Sequence, residues 1–414
     1  MKNSLISLIL VLCAVMPAFG QSTGKTYEFR NGLWFNGEGF TENTWFVVNG
    51  LLSKKAPETV DSIIDLSGHW VVPPFADANC FSIADNPNAE NVLDFYMNEG
   101  VFYLQIIGNT QEGREAVSQM LENPIKPDAT FSNGGITCSL GYPFLKYEGP
   151  ANGIKNPANW GAEYDRLKLS QKSLGNGYWF IDNKDALNAN WKKILAQKPD
   201  FISINLLDVA NNGGKEGKRL SKEMAKMIVK KAHKSKLRVV AYAETANDLR
   251  LGISLKVDGF ANLPGYNWDG TGDGSKYELK NDDLKKLAKK KIPVVTLFSH
   301  SQTVAGRKDA KEANAELLKK MFDSGVNIVM GSDDPQRTIR SELNYWYSLG
   351  VMDNLKVLKV LCENTPNAIY PKRKIAKFAN GYEANFLVLG SDPIQNLLKA
   401  RIAVFKVKQG EIIK

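Results

Sequence analysis

The pattern of apolar and polar positions differs between the two ends of the chain and its middle. Apolar residues alternate with polar ones over short stretches typical of β-strands, at 26–30, 33–35, 45–48, 384–389 and 403–407. Asn49-Gly50 provides a hairpin turn after the third stretch. Since strand-type patterns lie at both ends, we predict one small β-sandwich domain built from both termini. Its N-terminal part covers 21–72 and its C-terminal part covers 376–414.

The middle of the chain alternates apolar strands with amphipathic helices. Runs typical of buried strands lie at 101–107, 201–204, 237–242, 259–262, 292–297 and 326–330. Helical periodicity lies between them at 218–236, 282–291 and 311–324. Repeated strand–helix units predict an α/β fold, a (β/α)8 TIM barrel over 73–375, with its chemistry at the carboxyl ends of the strands. A doubly wound sheet is the alternative, but no glycine-rich phosphate-binding sequence follows any early strand.

The first twenty residues have the pattern of a cleaved signal peptide. Lys2 precedes an apolar run over 5–15, and Ala18-Phe19-Gly20 has the small-x-small form of a cleavage site. The apolar run is short for a bilayer span, which argues against a membrane anchor. We therefore expect a signal peptide at 1–20, a periplasmic or secreted mature protein, and no membrane insertion after signal removal.

The charge pattern argues against a nucleic-acid partner, and the cysteine count argues against a disulfide framework. The formal net charge is +9, and Lys-rich stretches such as 222–231 have apolar residues three and four apart, as in a helix with a solvated basic face. No basic cluster is interleaved with aromatic residues, so we expect no nucleic-acid partner. Removal of 1–20 leaves Cys80, Cys138 and Cys362, an odd number that indicates free buried thiols rather than a disulfide framework.

One short motif carries the strongest indication of ancestry. The sequence Ala76-Asp77-Ala78-Asn79-Cys80-Phe81 follows an apolar strand and a proline turn at 65–75. This stretch resembles the opening strand of the amidohydrolase superfamily, nearest its imidazolonepropionase-like branch, whose signature ends in Asp-Ala-His-x-His. Asn79 and Phe81 stand at the two histidine positions. Neither side chain replaces imidazole as a ligand for a zinc-type ion.

Further segments extend the resemblance along most of the chain. The stretches 198–204, 240–245, 257–265 and 329–335 are similar to the fourth, fifth, sixth and eighth strands of that family. In these strands the family's lysine and two histidines are replaced by Ser203, Tyr242 and Asn262. Only the family's catalytic aspartate remains, as Asp333. The resemblance implies an activity class, the hydrolysis of non-peptide C–N bonds, in which this aspartate takes a proton from metal-bound water.

The replaced ligands lead to the first of two functional hypotheses. Without a metal to lower the pKa of water, an aspartate of ordinary pKa is a weak base for hydrolysis. We therefore expect no metal or other cofactor, and a pseudoenzyme or ligand-binding derivative whose partner is a small molecule. Tyr242 and Asn262 are expected to hydrogen-bond each other, and Asp333 either accepts turn amides or serves a pocket. A homo-oligomer and a pairing with an active relative both remain open.

The second hypothesis is an active hydrolase with a remodelled site around Asp333 and His300. His300 follows the seventh predicted strand, one strand from Asp333, and an imidazole oriented by a carboxylate is a general base. Serines that would act as the nucleophile lie nearby at Ser299, Ser301 and Ser332. Arg337, just past Asp333, is a candidate clamp for a ligand carboxylate or phosphate, unless it pairs with surface acids instead.

Overall fold

The computed structural model describes residues 24–207, 219–268, 270, 272–300, 310–334, 337–400 and 402–413. The expected signal peptide at 1–20 and the candidate nucleophile Ser301 lie outside these residues.

The strands are numbered in chain order. They are β1 (Tyr27–Phe35), β2 (Phe40–Val48), β3 (Leu51–Ser53), β4 (Ser62–Asp65), β5 (Trp70–Val72), β6 (Phe75–Asp77), β7 (Val101–Ile106), β8 (Asp128–Phe131), β9 (Gly135–Thr137), β10 (Tyr178–Phe180), β11 (Phe201–Asn205), β12 (Arg238–Tyr242), β13 (Gly259–Phe260), β14 (Val294–Thr296), β15 (Ile328–Met330), β16 (Phe386–Leu389), β17 (Ala403–Lys408) and β18 (Glu411–Ile413).

The helices described in full are numbered in the same way. They are α1 (Ala89–Asn98), α2 (Gln111–Leu121), α3 (Phe144–Ala151), α4 (Tyr164–Leu167), α5 (Lys184–Ala196), α6 (Lys222–Lys234), α7 (Ala246–Leu255), α8 (Asn281–Lys290), α9 (Ala310–Asp323), α10 (Ile339–Leu349), α11 (Asn354–Lys359), α12 (Thr365–Ile369) and α13 (Leu397–Ala400). Among the described residues, no helix is long and apolar enough to cross a membrane.

Both ends of the chain contribute to one mixed sheet, the β-sheet unit. Its eight strands follow the order β18-β17-β16-β5-β1-β2-β3, and β4 pairs with β1. The two ends meet where β16 lies antiparallel to β5, with Leu387 opposite Val72. Phe29 and Phe386 pack edge to face at 5.0 Å between ring centroids, which fills the core on one face of the sheet.

The middle of the chain forms parallel sheets with helices between the strands, the α/β unit. A seven-stranded sheet has the order β10-β9-β11-β12-β13-β14-β15, and a three-stranded sheet has the order β6-β7-β8. Backbone hydrogen bonds join the smaller sheet to β15, an edge strand of the larger sheet, and to the start of β11. Ala78 N donates to Met330 O at 2.8 Å, and Asp200 N donates to Phe131 O at 2.8 Å. The carboxyl ends of the parallel strands are thereby brought to one side of the unit.

The predicted elements of this unit are confirmed, with small shifts at their ends. The helix predicted over 218–236 is α6, which begins after Ser221 because the Ser221 side chain accepts a hydrogen bond from Met224 N. The helix predicted over 282–291 is α8, which ends where Lys291 adopts a left-handed conformation with φ of 52°. Cys80, Cys138 and Cys362 are free and buried, also as predicted.

An ion-pair network holds the two units together. Arg373 donates to Asp128 Oδ2 at 2.7 Å and to Glu383 Oε2 at 2.6 Å. Lys408 of β17 donates to Asp128 Oδ1 at 2.7 Å. Since Asp128 begins β8 of the α/β unit, its carboxylate receives a cation from each side of the junction. This fixes the β-sheet unit against the amino ends of β7 and β8, on the side away from the strand carboxyl ends.

Candidate functional site at the carboxyl ends of the parallel strands

The structure brings together the positions that the resemblance assigns to metal ligands. Ser203 lies in β11 and Tyr242 ends β12, while Asn262 and Asp333 follow β13 and β15 by two and three residues. Asn79 follows β6, and its side-chain Nδ2 donates to Ala261 O at 3.0 Å. Because parallel strands end on the same side of a sheet, these side chains surround one region. Ser203 is buried there, beside Gly135 of β9.

Asp77, the last residue of β6, ties the first parallel strand to the last. Its Oδ1 accepts hydrogen bonds from the backbone amides of Asn79 and Ser332, both at 3.1 Å. Its Oδ2 accepts from Ser332 Oγ at 2.6 Å and from Tyr96 Oη at 3.0 Å. Burial raises the pKa of Asp77 to about 6, although these hydrogen bonds act to lower it. The carboxylate is therefore fully occupied by protein donors.

Asn79 lies between the carboxyl ends of β6, β13 and β15. Its backbone carbonyl accepts from Asp333 N at 2.7 Å and from Ser332 N at 3.2 Å. A side chain at Gly331 would not fit, since its Cβ would lie 2.8 Å from the Asn79 Cβ. The side-chain Nδ2 faces the Ala261 carbonyl, so Oδ1 points away from it. This buried Oδ1 has no hydrogen-bond partner among the described residues.

Tyr242 and Asn262 do not bond each other, which corrects the expectation from sequence. Tyr242 Oη donates instead to Ile107 O at 3.0 Å, across the interior, because the ring points towards the end of β7. Asn262 binds the residue after Tyr242 on the neighbouring strand. Its Nδ2 donates to Ala243 O at 2.7 Å, and its Oδ1 accepts from Ala243 N at 3.1 Å. The Tyr242 hydroxyl and the Asn262 amide thus both bind backbone groups.

Phe81 is paired with a cation that sequence reasoning missed. The Lys146 ammonium, from α3, lies 3.5 Å from the centroid of the half-buried Phe81 ring. Burial lowers the pKa of Lys146, while the carboxylates of Asp333 and Asp85 raise it. Lys146 makes no ion pair or hydrogen bond through its ammonium within the described part of the chain. It is therefore a half-buried positive charge facing the site.

The carboxylate of Asp333 is bound by none of the residues that the structure describes. The residue is half-buried with a positive φ of 43°, and only its backbone amide is used, by the Asn79 carbonyl. Burial raises the pKa of Asp333, and the nearby charges of Lys146 and His300 lower it. No hydrogen bond from the described residues reaches its carboxylate. The turn amide of Ser332 is bound by Asp77, so Asp333 is not the structural acceptor of this turn.

The other predicted site residues are engaged elsewhere. His300 Nε2 lies 3.2 Å from Asn267 Oδ1, and its ring packs on Tyr266 at 5.4 Å. Arg337 pairs with Asp334 at 3.3 Å and lines a separate surface cavity of about 500 Å³. The neighbouring Arg340 pairs with Glu99 at 3.6 Å.

Three further polar residues line the strand ends and were not identified from the sequence. Thr137 and Asn205 end β9 and β11, and Glu244 follows β12. Each has a buried side-chain oxygen with no hydrogen-bond partner among the described residues. Burial raises the pKa of Glu244 to about 8. Buried polar atoms are normally paired, so these oxygens indicate positions for ordered water or ligand atoms.

A polar residue that ends an apolar strand or closely follows one was the available signal for these three. No comparable signal marks Lys146, which lies on a short helix after an irregular turn.

The raised pKa of Asp77 predicts a pH dependence of stability. An acid whose pKa is higher in the folded state than in the unfolded state binds its proton more tightly when folded. Stability therefore rises as the pH falls through about 6 towards the unfolded value. Between pH 7.5 and pH 5 we expect the wild type to gain about 1 kcal/mol relative to Asp77→Asn, measured by urea unfolding. A difference between the two proteins that stays constant over this range would contradict the assignment.

Comparison with known proteins identifies the fold. No family model matches the chain, and no curated protein matches it. Among solved structures, an amidohydrolase is similar with 16% identity over 94% of this chain and 99% of that chain, at a TM-score of 0.70. Ochratoxinase from A. niger is similar with 15% identity over 94% and 95% of the chains, at a TM-score of 0.70.

A third similar structure is a Xaa-Pro dipeptidase with bound methionine. Its identity is 14% over 94% of this chain and 100% of that chain, at a TM-score of 0.71. At such identities the similarity concerns the fold. The amidohydrolase resemblance drawn from residues 76–81 is confirmed at that level: the chain has the fold of amidohydrolase structures.

Proposed function

We propose that this chain is an exported member of the amidohydrolase superfamily that binds a small molecule at the strand carboxyl ends without the family's metal-assisted hydrolysis. The ancestral activity class is the hydrolysis of non-peptide C–N bonds. The observation that carries the proposal is the state of the six family positions. Five are filled by neutral side chains, and the sixth, Asp333, has a carboxylate that no described residue binds.

The parallel strands support a closed (β/α)8 barrel as the frame of this site. β8 and β9 together count as one interrupted strand, since β8 pairs with β7 and β9 pairs with β11. Eight parallel strands then follow in chain order, with β10 outside them. The hydrogen bond from Ala78 N to Met330 O joins the first strand to the eighth. A barrel closed in this way presents one mouth at the strand carboxyl ends.

The residues present do not fit the family's metal. Zinc-type ions are held by imidazole, thiolate or carboxylate donors, and Asn79, Phe81 and Tyr242 offer none of these. The Tyr242 hydroxyl and the Asn262 amide are also already bound to backbone. Among the described residues, no group of three His, Cys, Asp or Glu side chains is arranged to hold a metal ion. The side chains present therefore support no hydrolytic step that uses a bound metal.

The remodelled hydrolase is less well supported by the geometry. Ser332 Oγ donates to the Asp77 carboxylate at 2.6 Å, which occupies this hydroxyl. The Ser299 hydroxyl is bound by Glu342, which also accepts the Ser299 backbone amide at 2.7 Å. His300 Nε2 faces an amide oxygen of Asn267 rather than a serine. Neither of these two serines is therefore poised beside the histidine as a nucleophile.

Metal content is the first measurable consequence. We expect the purified mature protein to contain only substoichiometric zinc, iron or manganese, because the donor positions have lost their ligands. Elemental analysis by inductively coupled plasma mass spectrometry measures this directly. About one metal per chain, lost in Asp333→Ala, would show that a centre persists and would overturn the proposal.

Export is the second consequence. In a secreting host we expect a mature N-terminus at Gln21, because Ala18-Phe19-Gly20 precedes it. Intact-mass measurement of the purified protein reads the cleavage site. Retention of residues 1–20, or a lipid on Cys13, would contradict this part of the proposal.

Ligand binding is the third consequence, and a thermal-shift screen tests it. The screen contains hydantoins, lactams, acylated amino acids, free amino acids and sugars. A ligand at 100 times its dissociation constant stabilises the protein by about 2.7 kcal/mol, which such a screen detects. Asp333→Asn should abolish the shift while leaving the unliganded melting temperature nearly unchanged, since the carboxylate accepts no hydrogen bond from the described residues.

Asp334→Asn is the matched control for this screen. Asp334 is half-buried like Asp333, but it pairs with Arg337 at 3.3 Å. The control should therefore retain the ligand-induced shift. A screen in which no compound shifts the melting temperature, or in which both variants lose the shift equally, would count against a pocket role for Asp333.

A further inference from the structure

Two opposite charges adjoin the site, and neither has an ion-pair or hydrogen-bond partner among the described residues. The Lys146 ammonium is half-buried over the Phe81 ring, and the Asp333 carboxylate is half-buried at the end of β15. Both adjoin the turn after β6, Lys146 through the Phe81 ring at 3.5 Å and Asp333 through the Asn79 carbonyl at 2.7 Å, and the two form no ion pair. Charges removed from water are costly unless they are paired, so this arrangement favours a ligand that supplies both partners.

Lys146 supplies positive charge beside the turn that follows β6. Its ammonium contacts the ring of Phe81, which stands at the second histidine position of the motif. An ammonium beside an aromatic ring still has N–H donors available, because a cation–π contact uses none of them as hydrogen bonds. These donors match a carboxylate oxygen of a ligand.

Asn79 and Asp333 offer acceptors at the same turn. Asn79 Oδ1 is buried without a hydrogen-bond partner among the described residues, and its orientation is fixed because Nδ2 donates to Ala261 O. The Asp333 backbone amide bonds to the carbonyl of the same Asn79, so Asp333 and Asn79 adjoin. A carboxylate next to an amide oxygen matches a group with several N–H donors and a positive charge.

We propose that this site binds the zwitterion of an α-amino acid, with the ligand carboxylate at Lys146 and the ligand ammonium at Asp333 and Asn79. The inference rests on the proposed function, that a small molecule binds at the strand ends. A purely anionic ligand would leave Asp333 desolvated and unpaired, and a purely cationic ligand would do the same to Lys146. Only a ligand that carries both charges satisfies both residues.

Isothermal titration calorimetry with the full mature protein and the common L-amino acids tests this proposal. Each amino acid that binds is compared with its N-acetyl derivative, which lacks the ammonium, and with its carboxamide, which lacks the carboxylate. Each derivative should bind at least about tenfold more weakly, since a hydrogen bond to a charged group is worth about 1.5–3 kcal/mol.

Variants assign the two ends of the ligand. Lys146→Met should remove binding of the amino acid, and Lys146→Arg should restore part of it because the charge is kept. The comparison with Arg separates lost recognition from a fold defect, which melting temperatures also monitor. Lys155→Met, an exposed lysine shortly after the same helix, is the control and should bind as the wild type does.

The outcomes separate this inference from the function on which it rests. If no amino acid binds, or if a derivative binds as tightly as its parent, the zwitterion proposal is wrong. If a lactam, hydantoin or sugar then still shows an Asp333-dependent thermal shift, the pocket remains and only the ligand class fails. If no compound of either set binds, both proposals fail together.

Discussion

The structure of the site depends on the buried carboxylate of Asp77. Its four donors come from the turn after its own strand, from Ser332 after the last parallel strand, and from Tyr96 of α1. A single side chain thus connects the two strands whose ends must meet for the site to exist. The carboxylate is retained in the interior at the cost of a pKa raised to about 6, which its hydrogen bonds only partly offset.

The hydrogen bonds that Asp77 accepts determine which groups remain for the Asp333 carboxylate to bind. Because Asp77 takes the amide and hydroxyl of Ser332, the turn after β15 needs no second carboxylate. The Asn79 carbonyl accepts a hydrogen bond from the Asp333 backbone amide. No described residue donates a hydrogen bond to the Asp333 side chain. The positive φ at Asp333 is tolerated because the hydrogen bond to Asn79 holds the backbone. The segment around Asp77 and Asn79 is thus a hydrogen-bonded support for Asp333, whose carboxylate no described residue binds.

Much of the fold could be predicted from the chain, because periodicity is a local property. The predicted strands and helices of the middle lie within a few residues of β7, β11, β12, β14, β15, α6, α8 and α9. The observed ends of the helices differ from the predicted ends where a capping residue sets them, as at Ser221 and Lys291. The six family positions could likewise be named, since each follows or ends an apolar strand. What they bind could not be predicted: Tyr242 reaches Ile107, 135 residues away, rather than Asn262.

The sequence by itself determined the α/β class, the free cysteines and the absence of histidine at positions 79, 81, 242 and 262, because these depend only on residue identity and local spacing. The tertiary structure decided the charges of the site. Lys146 reaches Phe81 from a helix 65 residues further on, and no pattern in either segment indicates the contact. The position of Ser332 decides that the Asp77 carboxylate binds the turn after β15. The Asp333 carboxylate accepts no hydrogen bond from the described residues. Hydrogen-bond partners across strands are set by the packing of distant segments, and that packing is absent from any local stretch of sequence.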